Sequence, residues 1–393
     1  MKKILINDKA KKRFKQGYPL VHQNDLVNDT DAMLTEWVEF VTSSGEFIGY
    51  GYLGQQNKGS GWIVSFNKSL PINEETFQRI FSDAFVHRQS FFESKVTDAF
   101  RIFNGEGDGL GGLTIDWYQG FLVVSWYNET IIQKKELIIH ELTNILNEQV
   151  KGIYEKNRFN NDKYPETQHI YGLTAIEPLI VKENGVLYAV YLNEGLMTGI
   201  FLDQKDVRNR LIEGLACGKN LLNMFSYTGA FSIAALAGGA SHTTSVDLAK
   251  RSIDKTREMF IINGINPDSQ DIIVMDVFNY FKYATKKEKT FDCIVLDPPS
   301  FARNKKKTFS VAKNYSELVF DAVQILETNG VLIASSNAAN VSVEKFEQMI
   351  ESGIKKNQRN FKLLDFYQLP SDFKTSPAFK EGNYLKVFIY EIY

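Results

Sequence analysis

The stretch NLLNMFSYTGAFSIAALA, Asn220–Ala237, reads as a strand, a tight turn and a helix in quick succession. Asn220–Phe225 is a short apolar run, Tyr227-Thr228-Gly229 is turn chemistry, and Ala230–Ala237 favours helix. The alternation continues outward from it. Thr243–Val246 is a strand, Ala249–Asn263 a helix, and Asp271–Met275 and Phe291–Leu296 are strands. Ser316–Leu326 is a helix and Gly330–Ser335 a strand. Such a run predicts an α/β fold with a doubly wound, mostly parallel sheet and helices on both faces. Two late strands, Phe361–Gln368 and Tyr384–Glu391, have no helix between them and are expected to pair as an antiparallel edge.

Ligands of open α/β sheets bind at the carboxyl ends of the strands, near the switch point. After the first strand comes NMFSYTGAFS, Asn223–Ser232, in which Asn223, Phe225, Tyr227 and Thr228 border the turn. Gly229 is expected to let backbone approach a ligand by removing a side chain. The spacing is not G-x-G-x-x-G, so the pyrophosphate fingerprint is absent. Asp247, followed by Leu248, ends the second strand and is placed to accept ribose hydroxyls. Asp276 ends the third, with Val277 as apolar neighbour for an adenine ring. Either acid alone is more often a helix cap. Suitable endings in successive repeats, without a pyrophosphate loop, favour S-adenosylmethionine over a nicotinamide dinucleotide. At the fourth strand end stands LDPPSF, Leu296–Phe301. Its prolines stiffen the chain and leave Asp297 and nearby carbonyls facing the pocket, with Phe301 free to stack on a flat base.

A chain of 393 residues is expected to hold two or three domains. The expected division is 1–70, a small β-rich barrel; 71–194, a linker helix and a central α+β domain; and 195–393, the α/β domain. A helix across Glu74–Lys95 carries Phe77, Ile80, Phe81, Ala84 and Phe85 on one face, read as a core-facing stripe. The glycine-rich NGEGDGLGG, Asn104–Gly112, is read as a structural loop, since no strand clearly precedes it and no helix opens from it. An amphipathic helix over Ile131–Gln149 and strands near Ile153–Lys156 and Leu187–Leu192 follow. Net charge is only -2, so any nucleic-acid surface must be a local patch. Lys2, Lys3, Lys9, Lys11, Lys12, Arg13 and Lys15 crowd the amino-terminal edge, which reads equally as a patch or as a frayed, solvated terminus. Cys217 and Cys293 are too few and too far apart for a disulfide scaffold or a zinc site, and no metal is expected. No apolar run spans a membrane and no signal peptide is evident, which points to the cytoplasm. Oligomeric state leaves no signal.

Read together, these motifs resemble the RlmI-type large-subunit ribosomal RNA methyltransferases over essentially the whole chain. FSYTGAF and LDPPSF match closely, as does MTGIFLDQKDVR (Met197–Arg208), with Lys205 replacing a usual arginine. GYPLVHQNDL (Gly17–Leu26) has Leu20 where tryptophan is common, and NGEGDGLGGLTIDWY has Gly111 where proline is usual. The resemblance implies a PUA domain, a central α+β domain and a Rossmann-like class I methyltransferase domain. It implies that Phe201, Gln204, Lys205 and Arg208 hold the methionine end of S-adenosylmethionine, Lys205 or Arg208 pairing with its carboxylate. It also implies a 23S rRNA partner, bound in part through Lys11, Lys12 and Arg13, and methylation at carbon 5 of cytosine.

That last implication meets a departure. Carbon-5 methylation needs a thiolate to attack carbon 6. Where the family carries its cysteine, this chain reads IASSNAAN, Ile333–Asn340. Three readings follow. An active base methyltransferase would grip its target with Asp297, Pro298 and Phe301 and act on carbon 5 or on a nitrogen. A non-catalytic RNA-binding assembly factor would have lost the nucleophile. A nicotinamide oxidoreductase is disfavoured by the missing fingerprint. The cluster Arg303, Lys305, Lys306 and Lys307 reads either as an RNA contact or as a solvated loop, and its adjacency to LDPPSF favours RNA contact.

Overall fold

The computed structural model describes residues 1–56, 59–303 and 308–393. Its residues gather into two compact units that do not follow chain order. One is Met1–Leu179 with Tyr191–Thr198 and Ser371–Gly382; the other is Ile180–Val190 with Gly199–Pro370 and Asn383–Tyr393.

In the first unit the amino-terminal strands close a small barrel, in the order Lys2–Ile6, Trp37–Thr42, Phe47–Gln56, Gly59–Ser65, Leu20–His22. The basic leading edge is not a frayed tail. Lys2–Ile6 pairs in parallel with Trp37–Thr42, Asn7 caps the helix Asp8–Lys15 by accepting from the Lys9 amide, and Ala10 and Phe14 are buried beneath it. The central sheet runs Thr167–Gly172, Gly152–Asn157, Phe121–Trp126, Leu113–Tyr118, Ala99–Asn104. Helix Glu74–His87 buries the expected stripe of Phe77, Ile80, Phe81, Ala84 and Phe85. The helix expected over Ile131–Gln149 is broken into Glu129–Ile132 and Lys135–Leu146.

The glycine-rich loop differs from expectation in its approach: the strand Ala99–Asn104 leads straight into it, and a single 3-10 turn, Gly105–Asp108, opens it. Its work is structural. Asp108 takes both terminal nitrogens of the buried Arg88 at 2.7 Å each, and Arg88 also donates to the Asp372 carbonyl. At Gly111 a β-carbon would come within 2.2 Å of the Trp62 indole, so the ring excludes any side chain there.

The second unit is built on a sheet in the order Asp271–Val274, His242–Asp247, Asn220–Met224, Phe291–Leu296, Leu326–Ser336, Lys386–Ile392, Phe361–Tyr367. The first five strands are parallel to one another, and Lys386–Ile392 inserts antiparallel to both its neighbours, between Leu326–Ser336 and Phe361–Tyr367. This is the class I methyltransferase topology. Leu222, Met224, Ile294 and Leu296 are fully buried where helices cover the sheet. Helices Val277–Lys286 and Val343–Lys356 were not expected, since Val277–Lys286 follows its strand after only two residues. The strand expected at Leu187–Leu192 is Val186–Val190, paired with Leu179–Glu183. It belongs here, because the Asn263 carboxamide bonds both the amide and the carbonyl of Leu187. Among the described residues no helix is long and apolar enough to cross a membrane.

Candidate active site

Strand order reverses between Asn220–Met224 and Phe291–Leu296, so their carboxyl ends open the crevice where such sheets bind ligands. Past the first strand the backbone takes left-handed values at Phe225 (φ 59°), Tyr227 (φ 52°) and Gly229 (φ 79°). For non-glycine residues this conformation costs about 1–3 kcal/mol each and is kept only where the surroundings enforce it. Here Ser226 donates to the Val246 carbonyl, Tyr227 N to Asp247 Oδ2 at 2.9 Å, and Gly229 to the Ser226 carbonyl. Gly229 also has a second reason to be glycine. A β-carbon would lie 2.7 Å from Thr256 Cγ2, so helix packing rather than a ligand claims that space.

The Asp247 carboxylate accepts from Tyr227 N and, through Oδ1, from Ala249 N at 2.8 Å, which fixes it at the strand end. Leu248 beside it is exposed. Asp276 caps the helix Val277–Lys286, its Oδ1 accepting from Asn279 N at 3.2 Å. Val277, expected beside a ring, is instead packed in the helix–sheet core.

Around the turn a small cavity, ≈50 Å³, is lined by Phe201, Gln204, Arg208, Phe225, Tyr227, Thr228 and Asp297. The Phe201 and Tyr227 rings sit 5.3 Å apart, and Thr228 Oγ1 donates to the Gly199 carbonyl at 2.7 Å. The expectation that Arg208 pairs with a ligand carboxylate needs correction. Its Nε and Nη2 each lie 2.7 Å from Glu183, and Nη2 also holds the Phe201 carbonyl. Its charge is already matched, and it braces the Phe201 loop. Lys205 is buried as well.

Gln204 is the pivot of the site. Its Nε2 donates to Ser335 Oγ at 2.7 Å and to Asp297 Oδ1 at 3.1 Å. Its Oε1 is buried with no hydrogen-bond partner among the described residues, as is Asn223 Oδ1. Such orphaned acceptors suit a ligand rich in donors, as an ammonium and ribose hydroxyls are. Burial pushes the Asp297 carboxyl up to about 6, and Asp203 adds to this while Ser335 and Gln204 oppose it. Pro298 follows in a turn anchored where Ser300 Oγ donates to Asn337 Oδ1 at 2.6 Å. Tyr315 Oη ties the ends of the fourth and fifth strands by donating to the Leu296 and Ser335 carbonyls.

Phe301 is 61% exposed, at the start of a small hairpin pairing Phe301–Arg303 with Thr308–Ser310. The Arg303 side chain and Lys305, Lys306 and Lys307, expected as RNA contacts, lie outside the described residues. At the barrel, Lys11 pairs with Glu46 and Arg13 with Asp25, whereas Lys12 is exposed. Cys293 is buried within the fourth strand, and burial pushes its thiol up to about 12. Cys217 is exposed but precedes the first strand, at the opposite end from the crevice. Sequence reasoning missed Asp203 and Glu183, and met Ser335 only as a residue standing where a thiolate was expected; their partners come from distant parts of the chain.

Comparison with known proteins agrees with this geometry. The family model described as S-adenosylmethionine-dependent methyltransferase matches residues 100–375, and one for a PUA-like domain matches residues 4–66. YwbD of Bacillus subtilis, provisionally named a ribosomal RNA large subunit methyltransferase, is 46% identical over 99% of both chains. Ribosomal RNA large subunit methyltransferase I of Aeromonas salmonicida is 30% identical over 95% of this chain and 93% of its own. A crystal structure of SMU.776, provisionally named a methyltransferase and complexed with SAH, superposes with a TM-score of 0.92 at 43% identity, covering 100% of both chains. The chain therefore belongs to the S-adenosylmethionine-dependent methyltransferases, in the family that includes YwbD and ribosomal RNA large subunit methyltransferase I.

Proposed function

We propose that this enzyme methylates a base of large-subunit ribosomal RNA in the cytoplasm, and that the acceptor is a nitrogen rather than carbon 5 of a pyrimidine. One observation carries the choice of acceptor. The chain has two cysteines, and neither lies at the crevice: Cys293 is packed inside a strand and Cys217 sits at the wrong end of one. Ser335, near the end of the fifth strand, is fully buried; its hydroxyl bonds Gln204 and the Asp297 carboxylate, and it is a far weaker nucleophile than a thiolate. A nitrogen lone pair attacks a methyl sulfonium without covalent help; a pyrimidine carbon 5 needs it.

S-adenosylmethionine supplies the electrophilic methyl group when bound. Asp247 would accept its ribose hydroxyls against Leu248, and Asp276 its adenine amino group. Asn223, Phe225, Tyr227, Thr228 and Gly229 would form the floor, with Phe201, Gln204 and the buried Lys205 toward the methionine end. Asp297 would accept a hydrogen bond from the target base, orienting the nitrogen as its bond to the methyl group forms and the sulfonium–methyl bond breaks, and taking the proton that the nitrogen then loses. Pro298 holds that carboxylate rigid, and exposed Phe301 offers a face for a flipped base. Residues 1–70 would dock RNA, Lys12 contacting phosphate directly and Lys11 and Arg13 through ion pairs that exchange; 71–194 would extend that surface; 195–393 would catalyse. Arg303 and Lys305 would add phosphate contacts beside the pocket.

The test is transfer of labelled methyl from S-adenosylmethionine to ribosomal RNA from a strain lacking the gene, followed by nucleoside mass spectrometry. A methylated ring or exocyclic nitrogen is expected. 5-Methylcytosine would overturn the acceptor, and no transfer to any RNA would overturn the substrate.

A further inference from the structure

A cavity bearing aromatic rings lies away from the catalytic sheet. It lies within the first unit, has a volume of ≈350 Å³, and is formed where the end of the barrel strand Phe47–Gln56 faces the ends of two central strands. That volume is within the roughly 300–1,000 Å³ of small-ligand sites. We infer that it is a second nucleotide pocket, holding one unstacked nucleotide of the RNA substrate away from the methylated base. This rests on the RNA reading above.

The lining chemistry carries the inference. Arg158 follows the strand Gly152–Asn157, and two neutral acceptors fix its guanidinium: Ser125 Oγ at 3.2 Å from Nε, and the Leu196 carbonyl at 2.8 Å from Nη2. No carboxylate among the described residues forms an ion pair with it, so it is held in place with its charge unmatched. An immobilised, uncompensated guanidinium suits a phosphate. Next to it Phe159 is partly buried, braced edge-on by Tyr164 with ring centroids 6.0 Å apart, and Tyr127 lines the same cavity. Partly exposed rings beside a fixed cation are the elements with which single-stranded nucleic acid is gripped.

Reading groups are also present. The Gln56 carboxamide oxygen accepts from Trp62 Nε1 at 3.0 Å and from Asn128 Nδ2 at 3.4 Å. Anchored through its oxygen, the amide has its two N–H donors left for a ligand. Glu129 is exposed and offers an acceptor for an exocyclic amine or a 2′-hydroxyl. Met33, 75% exposed, supplies an apolar wall that a base would cover. Donor, acceptor, cation and stacking face thus converge on one volume, and no fold requirement calls for Met33 to stand in water.

The test uses the full-length protein and a fluorescein-labelled 12-nucleotide oligouridylate containing 4-thiouridine. Affinity is followed by anisotropy over a salt series, and photocrosslinked peptides are mapped by mass spectrometry. Phe159→Ala should weaken binding roughly five- to a hundredfold, the span of one lost base–aromatic stack. Met33→Glu, a surface change with no bond to break, should weaken it as well. Arg158→Gln should reduce the slope of log affinity against log salt by about 0.7, one single-strand phosphate contact. Crosslinks should fall on peptides bearing Tyr127 or Phe159. All three variants should bind S-adenosylmethionine as wild type does, which shows that they fold. Unchanged affinity in Phe159→Ala and Met33→Glu, or crosslinks confined to other peptides, would overturn the proposal while leaving the methyltransfer reading intact. Uridine monophosphate competing as well as the strand would also overturn it, marking a small-molecule site. Failure of the wild type to bind any RNA would remove both readings.

Discussion

Replacing Asp297 by asparagine should abolish methyl transfer and, above neutral pH, make the protein more stable. The carboxyl lies in a partly buried pocket, and burial lifts it from 3.8 to about 6. A folded-state value above the unfolded one means that the native protein holds the proton more tightly. Its burden is therefore absent below the unfolded value of 3.8, grows as pH rises towards 6, and is complete above it. A displacement of about two units corresponds to about 3 kcal/mol at most, and solvent reaching the carboxyl trims this to roughly 1–3 kcal/mol. Asparagine keeps an oxygen for the bond from Gln204 Nε2 and removes the charge. Urea unfolding of Asp297→Asn against wild type should show the variant more stable by that amount at pH 8, with the difference shrinking towards zero near pH 4. A variant less stable at pH 8, or a gap that does not change with pH, would refute the reasoning. The same titration should appear in catalysis, as a rate that falls with an apparent value near 6 on the acid side.

Ser335→Ala removes a bond that favours the charged form of Asp297, so the acid limb of the pH–rate profile should move to higher pH; an unmoved limb would separate Ser335 from the carboxylate. Replacing both cysteines, Cys217→Ser with Cys293→Ala, should leave methyl transfer within a few fold of wild type, and no covalent enzyme–RNA adduct should form with a 5-fluoropyrimidine substrate in either protein. Glu183→Gln strands the buried Arg208 charge and should cost about 3–5 kcal/mol in chemical denaturation. The paired change Glu183→Leu with Arg208→Met should recover part of that loss, which a purely local packing defect would not allow. Gly229→Ala meets both the positive φ and Thr256, and its melting temperature should fall by several degrees.

What was legible in the sequence follows from where the information is local. Strand Phe291–Leu296 and helix Ala230–Ala237 fall where apolar runs and turn residues place them, because each is bounded by its own turn chemistry. The pairing of Phe361–Tyr367 with Lys386–Ile392 was likewise legible, since the crossover between parallel strands is usually a helix and no helical pattern lies between these two. Helix Val277–Lys286 escaped because its aromatic residues mimic strand composition while Asp276 caps it. The candidate site divides the same way. Asp247, Asp276 and Asp297 announce themselves at strand ends, but the partners that decide what they do come from far along the chain. Glu183 meets Arg208 only because a hairpin from the middle of the sequence joins the catalytic unit. Nothing in MTGIFLDQKDVR says that its second basic residue is already neutralised.

The threading of the chain between its two units has a consequence for how such a protein can be taken apart. It passes across at Leu179–Ile180, Val190–Tyr191, Thr198–Gly199, Pro370–Ser371 and Gly382–Asn383, so neither unit is a continuous stretch of gene. No single pair of cuts releases an intact catalytic half: removing the residues before Gly199 takes the hairpin that neutralises Arg208. The segment Ser371–Gly382 in turn takes with it the carbonyl that Arg88 holds. Recombination that swaps one module for another would break both units at once. The two halves are therefore obliged to be inherited, and to evolve, as one piece.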